Sequence, residues 1–170
     1  VNQVLDMAKI ESGHAEWHTT TLDLRELLEQ AARTMAESCR EQGIALRPEW
    51  TLNGPFDSLT GHQQGEYLLG LNPRPQAFFA VNDFLAIGLM GAARDKGLEP
   101  GKDIAVVGFN DTPLANELIV PLTSVRLPLA EMGRHAVELL LKRIKGEAVE
   151  SIILAPQLQV RASSGLRVAG

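Results

Sequence analysis

Polar side chains that could bind a small molecule follow two apolar runs of the sequence. Asn82 comes directly after the run Ala77–Val81. Asn110 and Asp111 come after the run Ile104–Phe109. Both runs have the length and composition of buried strands, and in open α/β sheets ligands bind outside the carboxyl ends of the parallel strands. The spacing therefore predicts a binding edge at these residues, provided that the two runs are neighbouring strands.

Phe56 adds an aromatic ring in a third segment, after the Gly54-Pro55 turn. Each of these residues also has a purely structural interpretation. Phe56 can be a partly buried core aromatic, and Asn82 or its neighbour Asp83 can cap the helix that follows. Asn110 can belong to a turn held by hydrogen bonds between side chain and backbone. The residues alone leave both interpretations open.

The elements that must position these residues alternate between strand and helix patterns. Apolar spacing predicts helices over Leu24–Gln42, Thr60–Leu69, Asp83 to about Lys96, and Leu129–Lys145, with Gly43, Gly97 and Gly146 as their natural ends. Apolar runs predict strands at Ala45–Asn53, Ala77–Val81, Ile104–Phe109, Thr123–Leu127 and Ser151–Val160. This alternation predicts an α/β fold with a mostly parallel sheet that is covered on both faces by helices.

Length and composition exclude several classes of protein. The 170 residues suffice for about one domain, and the net charge of −5 argues against a nucleic-acid-binding surface spread over the whole chain. The single cysteine excludes a disulfide framework and indicates a reduced, cytoplasmic setting. No phosphate-binding loop or nucleophile elbow occurs, so we predict no enzymatic activity, no metal and no cofactor. No apolar run reaches the length of a membrane span, so we expect no membrane partner.

Residues 49–165 resemble the C-terminal part of the effector-binding domain of the lac-repressor family of transcription regulators. The matching segments are Pro73–Asp83, Asp103–Asp111, Pro121–Arg126, Met132–Leu140 and Pro156–Arg161. The resemblance implies a fold like that of periplasmic sugar-binding proteins, in which two Rossmann-like subdomains close on a small ligand. This chain would supply a three-layer αβα half of that fold, without the DNA-binding head.

The same resemblance implies roles for the candidate site residues. Asn82 matches a family position that hydrogen-bonds sugar hydroxyls, and Phe56 lies near a point where family members place an aromatic side chain. At the positions of Asn110 and Asp111, family members have an acidic or amide side chain that contacts the ligand. Several sugar-responsive members have Asp where this chain has Asn110. The implied ligand is a small sugar-like molecule, bound weakly or not at all because one wall of the cleft is missing.

Residues 1–47 resemble a different family, the sensor histidine kinases. The resemblance rests on Val4–Gly13, Leu22–Leu28 and Glu41–Leu46. It predicts a chimera of a kinase-like segment (residues 1–47), a lac-repressor-family subdomain (residues 48–165) and a tail (residues 166–170). Three functions follow as alternatives: a partial effector-binding domain, a recombined or engineered chimera without selected activity, and a histidine kinase fragment without catalysis.

The absent subdomain also bears on the oligomeric state. Its loss is expected to expose Val125, Leu127, Leu129 and Leu140. Exposed apolar patches mark interfaces, so the sequence predicts self-association as a dimer, with exchange of the N-terminal segment as one route. No nucleic acid binding is expected from this chain alone.

Overall fold

The computed structural model describes residue 37 and residues 39–165, and the chain divides into two units, Val1–Pro48 and Glu49–Gly170. In the first unit, helical residues give way to a turn at Gln42. The turn closes through Gly43, whose φ is +72°, and the Ile44 N–H donates to the Cys39 carbonyl at 2.8 Å. This Schellman-type arrangement confirms the predicted helix end. The other elements predicted before residue 37 lie outside the described residues.

The second unit alternates helices and strands along the chain. Within its described residues the helices are α1 (Ser58–Leu69), α2 (Asp83–Asp95), α3 (Pro113–Glu117) and α4 (Leu129–Ile144), and the strands are β1 (Ala77–Phe79), β2 (Ala105–Phe109), β3 (Thr123–Arg126) and β4 (Gln157–Gln159). Short 3-10 turns lie at Pro48–Trp50 and Ala162–Ser164. No helix in this part of the chain is both long enough and apolar enough to cross a bilayer.

The strands form one sheet in the order β1-β2-β3-β4. β2 pairs in parallel with β1 and with β3, whereas β4 runs antiparallel to β3. β1 and β2 are therefore neighbours whose carboxyl ends lie at the same edge of the sheet. The predicted α/β fold with a mostly parallel sheet is confirmed.

Side chains at the helix starts explain where α1 and α2 begin. The Asp57 carboxylate accepts a hydrogen bond from the Thr60 N–H at 2.7 Å, and the Asn82 amide oxygen accepts one from the Leu85 N–H at 2.8 Å. Each bond satisfies a backbone donor that the first helical turn leaves free.

Glycines allow α1 and α2 to pack at very short range. A Cβ on Gly61 would overlap with the backbone of Leu85, and a Cβ on Gly88 would overlap with the carbonyl oxygen of Ser58. The backbones therefore touch where the two helices cross. α2 also contacts β2, so it joins α1 to the sheet.

Among the described residues, one apolar cluster forms the core. It draws on α1, α2, α3, the first two strands and the loops beside them; its members are Leu69, Phe78, Ala86, Leu89, Ala92, Ala93, Ile104, Val106, Ala115 and Leu122. Four of its members come from α2, so this helix contributes most to the core among the helices.

Three predictions about the strands are wrong in extent. The region predicted as Ala45–Asn53 contains a 3-10 turn and no strand, and Ser151–Val160 reduces to β4. β1 is shorter than predicted, and Phe78 alone of its residues is buried. The physical reason is that, among the described strands, β1 pairs only with β2, and this pairing covers Ala77–Phe79 alone. The short helix α3 was not predicted.

α4 is largely exposed, and only His135 and Leu139 are half-buried. None of its residues is buried, although its sequence is strongly amphipathic. The exposed large apolar side chains of this helix, which we call the α4 apolar face, are Leu129, Met132, Val137, Leu140, Leu141 and Ile144. The predicted exposure of Leu129 and Leu140 is confirmed, whereas Val125 and Leu127 are half-buried.

Candidate functional site

Asn82 uses its side chain to join two segments at the end of β1. Its amide oxygen caps α2, and its amide nitrogen donates to the Phe56 carbonyl oxygen at 3.0 Å. The Phe56 ring is 71% exposed, so it is not a core aromatic. The capping interpretation of Asn82 is correct, and the amide keeps one N–H for a further partner.

Asp83 does not cap its own helix but extends across the carboxyl end of β2. It is only 1% exposed, and both carboxylate oxygens are bonded. Oδ1 accepts from the Ser124 hydroxyl at 2.6 Å. Oδ2 accepts from the Thr112 N–H at 2.6 Å and from the Thr112 hydroxyl at 2.9 Å. One buried carboxylate thus links α2 to the loop after β2 and to β3.

The loop after β2 turns through two left-handed residues. Asn110 has φ of +98° and Asp111 has φ of +52°, a conformation that Asn and Asp tolerate better than most residues. The Asn110 N–H donates to the Val125 carbonyl at 2.9 Å, and the Asp111 N–H donates to the Ser124 hydroxyl at 3.0 Å. The turn interpretation is therefore correct, and it leaves the Asn110 side chain exposed.

Asp111 is held between two arginines. Its carboxylate lies 2.6 Å from Arg126 Nε and 2.6 Å from Arg161 Nη1, and its side chain is 2% exposed. The Arg161 guanidinium also donates to the Leu122 carbonyl at 2.7 Å. Desolvation raises the pKa of Asp111, but the two guanidinium groups together outweigh it, so that the pKa lies below its ordinary value.

Arg126, which pairs with Asp111, also lines a shallow groove. The groove has a volume of about 170 Å³ and is lined by Arg126, Pro128, Glu131, Leu154, Ala155 and Gln157. Sequence reasoning did not place either arginine at the site. The signal that could have located them is positional: Arg126 is the last residue of β3, and Arg161 lies two residues after β4, which pairs with β3.

The structure thus places all four predicted site residues at one edge of the sheet. Phe56 and Asn82 are in direct contact, and Asn110 and Asp111 follow the neighbouring strand. An exposed aromatic side chain and two amides at one edge of a sheet suit a polar molecule with an apolar face. Within residues 39–165, no cluster of His, Cys, Asp and Glu is arranged to hold a metal ion.

Comparisons with known proteins agree with this architecture. A family model described as a periplasmic binding protein-like domain matches residues 10–164. The ribose operon repressor of Haemophilus influenzae is 33% identical over 159 residues, which are 92% of this chain and 48% of the relative. The repressor PurR of Vibrio vulnificus is 35% identical over 124 residues, 72% of this chain and 37% of the relative. The chain spans about half the length of such relatives or less.

Solved structures give the same result. A regulatory protein of the LacI family from Chloroflexus aggregans superposes with a TM-score of 0.70 at 38% identity, over 77% of this chain and 48% of the other. The lac repressor dimer bound to operator and anti-inducer superposes with a TM-score of 0.62 at 33% identity, over 65% of this chain and 39% of the other. The two curated relatives are named as repressors, and the Chloroflexus aggregans protein as a regulatory protein.

The same comparisons bear on the N-terminal segment. The family match begins at residue 10 and so includes most of the segment that resembles a histidine kinase. They give no support for a kinase fragment or for a chimeric junction.

Proposed function

Because this chain belongs to the family of periplasmic-binding-protein-like domains, in the form found as the C-terminal effector-binding domain of LacI-family regulators, we propose that it forms part of the small-molecule sensor of a transcription regulator. The observation that carries this proposal is that Phe56 and Asn82 are in contact at the end of β1 while Asn110 follows β2, the neighbouring parallel strand. A chimeric origin is not proposed, because the family match includes residues 10–47.

The ligand that we propose is a small sugar-like molecule. Amides can donate to and accept from hydroxyl groups, and an exposed aromatic ring can cover the apolar face of a sugar ring. One relative is named as a ribose operon repressor, and one solved relative is a complex with cellobiose. We propose that Asp111 acts on the site indirectly. Both of its carboxylate oxygens already contact Arg126 and Arg161, so it positions these arginines.

We propose that binding by this chain alone is weak. Tight small-molecule sites bury about 70–90% of the ligand surface, whereas the part of the chain that the structure describes supplies one wall at this edge. Dissociation constants in the millimolar range correspond to only about −4 kcal/mol. The proposal therefore does not require a high affinity from the chain as it stands.

An NMR titration tests the proposal. D-ribose, D-glucose, cellobiose and adenosine would each be added to the labelled chain while backbone amide shifts are followed. We expect shifts that cluster at residues 56, 82 and 110–112 for at least one of these probes. Phe56→Ala should weaken that response several-fold, whereas Tyr67→Ala, which removes another exposed aromatic ring on α1, should not. Shifts clustered elsewhere, or no response to any probe, would contradict the proposed function.

Three further proposals concern organisation and partners. We propose residues 48–165 as the ligand-binding body and residues 166–170 as a tail, and the division of the chain after Pro48 supports the first boundary. We propose that the chain self-associates, which the exposed α4 apolar face supports. As part of a transcription regulator it would work in the cytoplasm, with the DNA contacts made by another region.

A further inference from the structure

The buried Asp83 carboxylate accepts hydrogen bonds from two segments other than its own. Its three donors are the Ser124 hydroxyl, the Thr112 N–H and the Thr112 hydroxyl. Space for the carboxylate exists because Gly108 faces it: a Cβ at that position would overlap with Asp83 Oδ1. A charged acceptor in such a site forms stronger hydrogen bonds than a neutral one.

The same carboxylate binds the N–H of Thr112 directly and the N–H of Asp111 through one hydroxyl group. The Thr112 N–H bonds to Oδ2 directly. The Asp111 N–H bonds to the Ser124 hydroxyl, and that hydroxyl donates to Oδ1. Consecutive left-handed residues are unfavourable for L-amino acids and persist only where the surroundings hold them. Here the surroundings include one buried carboxylate and the serine hydroxyl that it binds, besides the Asn110 N–H bond to Val125 and the two arginines beside the Asp111 carboxylate.

We infer that Asp83 is the positioning residue of the binding edge: it holds Asn110 and Asp111 in their left-handed conformation and so fixes Asn110 at the end of β2, the strand next to the one that Asn82 follows. The inference rests on the proposed function only for what the edge binds. Asp83 does not touch the ligand in this role, because it is enclosed by its three donors. In this proposal Asn82 contacts the ligand, and its neighbour Asp83 fixes the geometry of the loop.

Amide hydrogen exchange in the ligand-free chain tests the geometric part. Asp83→Ala should make the Thr112 and Asp111 amides exchange at least about tenfold faster. The Ala105 amide, which bonds to the Gln76 carbonyl at the opposite end of β1 and β2, is the internal reference for global opening. Equal acceleration of all three amides, or of none, would overturn the inference.

Two further variants separate positioning from general destabilisation. Asp83→Asn can still accept from Thr112 with its amide oxygen, so protection of the Thr112 amide should be largely restored. Ser124→Ala removes the relay alone, so the Asp111 amide should lose protection while the Thr112 amide keeps it. If Asp83→Ala does not fold, the Ser124→Ala result decides: unchanged protection at Asp111 overturns the inference.

A titration with D-ribose, D-glucose, cellobiose and adenosine links the loop to binding. If the parent chain responds to one of these probes, a folded Asp83→Ala variant should lose most of that response; an undiminished response with a loosened loop would overturn the positioning role. If the parent responds to none, the proposed function fails, and the exchange data still decide whether Asp83 holds the loop.

Discussion

Replacing Asp111 by Asn removes the negative charge between two arginines while keeping the size of the side chain and its tolerance of a left-handed backbone. The amide oxygen can remain on Arg161, which is only 14% exposed, and Arg126, which is 52% exposed, can turn to solvent. The change therefore weakens one buried interaction and removes one partly solvated ion pair. We expect a loss of stability without a change of fold.

The magnitude follows from these two terms. Exchanging the charged contact with Arg161 for a contact with a neutral amide oxygen costs about 1–1.5 kcal/mol. Losing the Arg126 pair costs about 0–1 kcal/mol, because solvent screens an exposed guanidinium. The sum is about 1–2.5 kcal/mol, which for a chain of this size corresponds to a fall in Tm of roughly 2–10 °C.

Urea and thermal unfolding followed by circular dichroism measure this effect. Arg126→Gln is the matched control, because it removes the exposed partner alone and should cost less than about 1 kcal/mol. A double-mutant cycle between Asp111→Asn and Arg161→Gln should give a clear coupling energy, since the two groups are in contact. An Asp111→Asn variant within about 0.5 kcal/mol of the parent, or an Arg126→Gln variant that is equally unstable, would refute the reasoning.

Three further predictions use other parts of the structure. Because folding lowers the pKa of Asp111, its contribution to stability is present above the ordinary pKa of 3.8 and is lost as the pH falls below it. Stability measured by urea titration should therefore fall less steeply at acid pH in Asp111→Asn than in the parent chain. Gly88→Ala should destabilise the chain by about 1–3 kcal/mol or more in urea unfolding, because the new methyl group overlaps with α1. Gly133→Ala on α4, where no atom lies within 4 Å of the new methyl group, should be neutral or stabilising by up to about 1 kcal/mol. Leu140→Glu on the α4 apolar face should lower the association seen in sedimentation velocity, whereas Leu59→Glu on α1 should not; equal effects of the two would contradict association through α4.

The sequence predicts helices better than strands in this chain, for physical reasons. α2 and α4 end one residue before Lys96 and Lys145, as the glycines that follow them require. Ala45–Asn53 and Ser151–Val160 contain apolar residues in strand-like order. Strand formation also needs a hydrogen-bonded neighbour, and sequence patterns do not reveal which segments have one.

The candidate site was likewise only partly predictable from the sequence. The carboxyl-end rule located Asn82 and Asn110 because it depends on strand order alone. It could not reveal that Asp83 bonds to residues 29 and 41 positions further along the chain. The pairing of Asp111 with Arg161 was inaccessible for the same reason, since it depends on the antiparallel return of β4.

That antiparallel return has a consequence for how the chain can be altered. Arg126 and Gln157 are paired across β3 and β4, so the chain leaves the sheet and re-enters it at directly opposite residues. Residues 127–156, including α4, are therefore an insertion in a β-hairpin whose two ends lie about 5 Å apart. Replacing them by an Asn-Gly turn would close β3 and β4 directly and yield a shorter protein with the binding edge retained. The reverse also holds: a different module spliced between these two residues would be attached at a point that Asp111 anchors through Arg126.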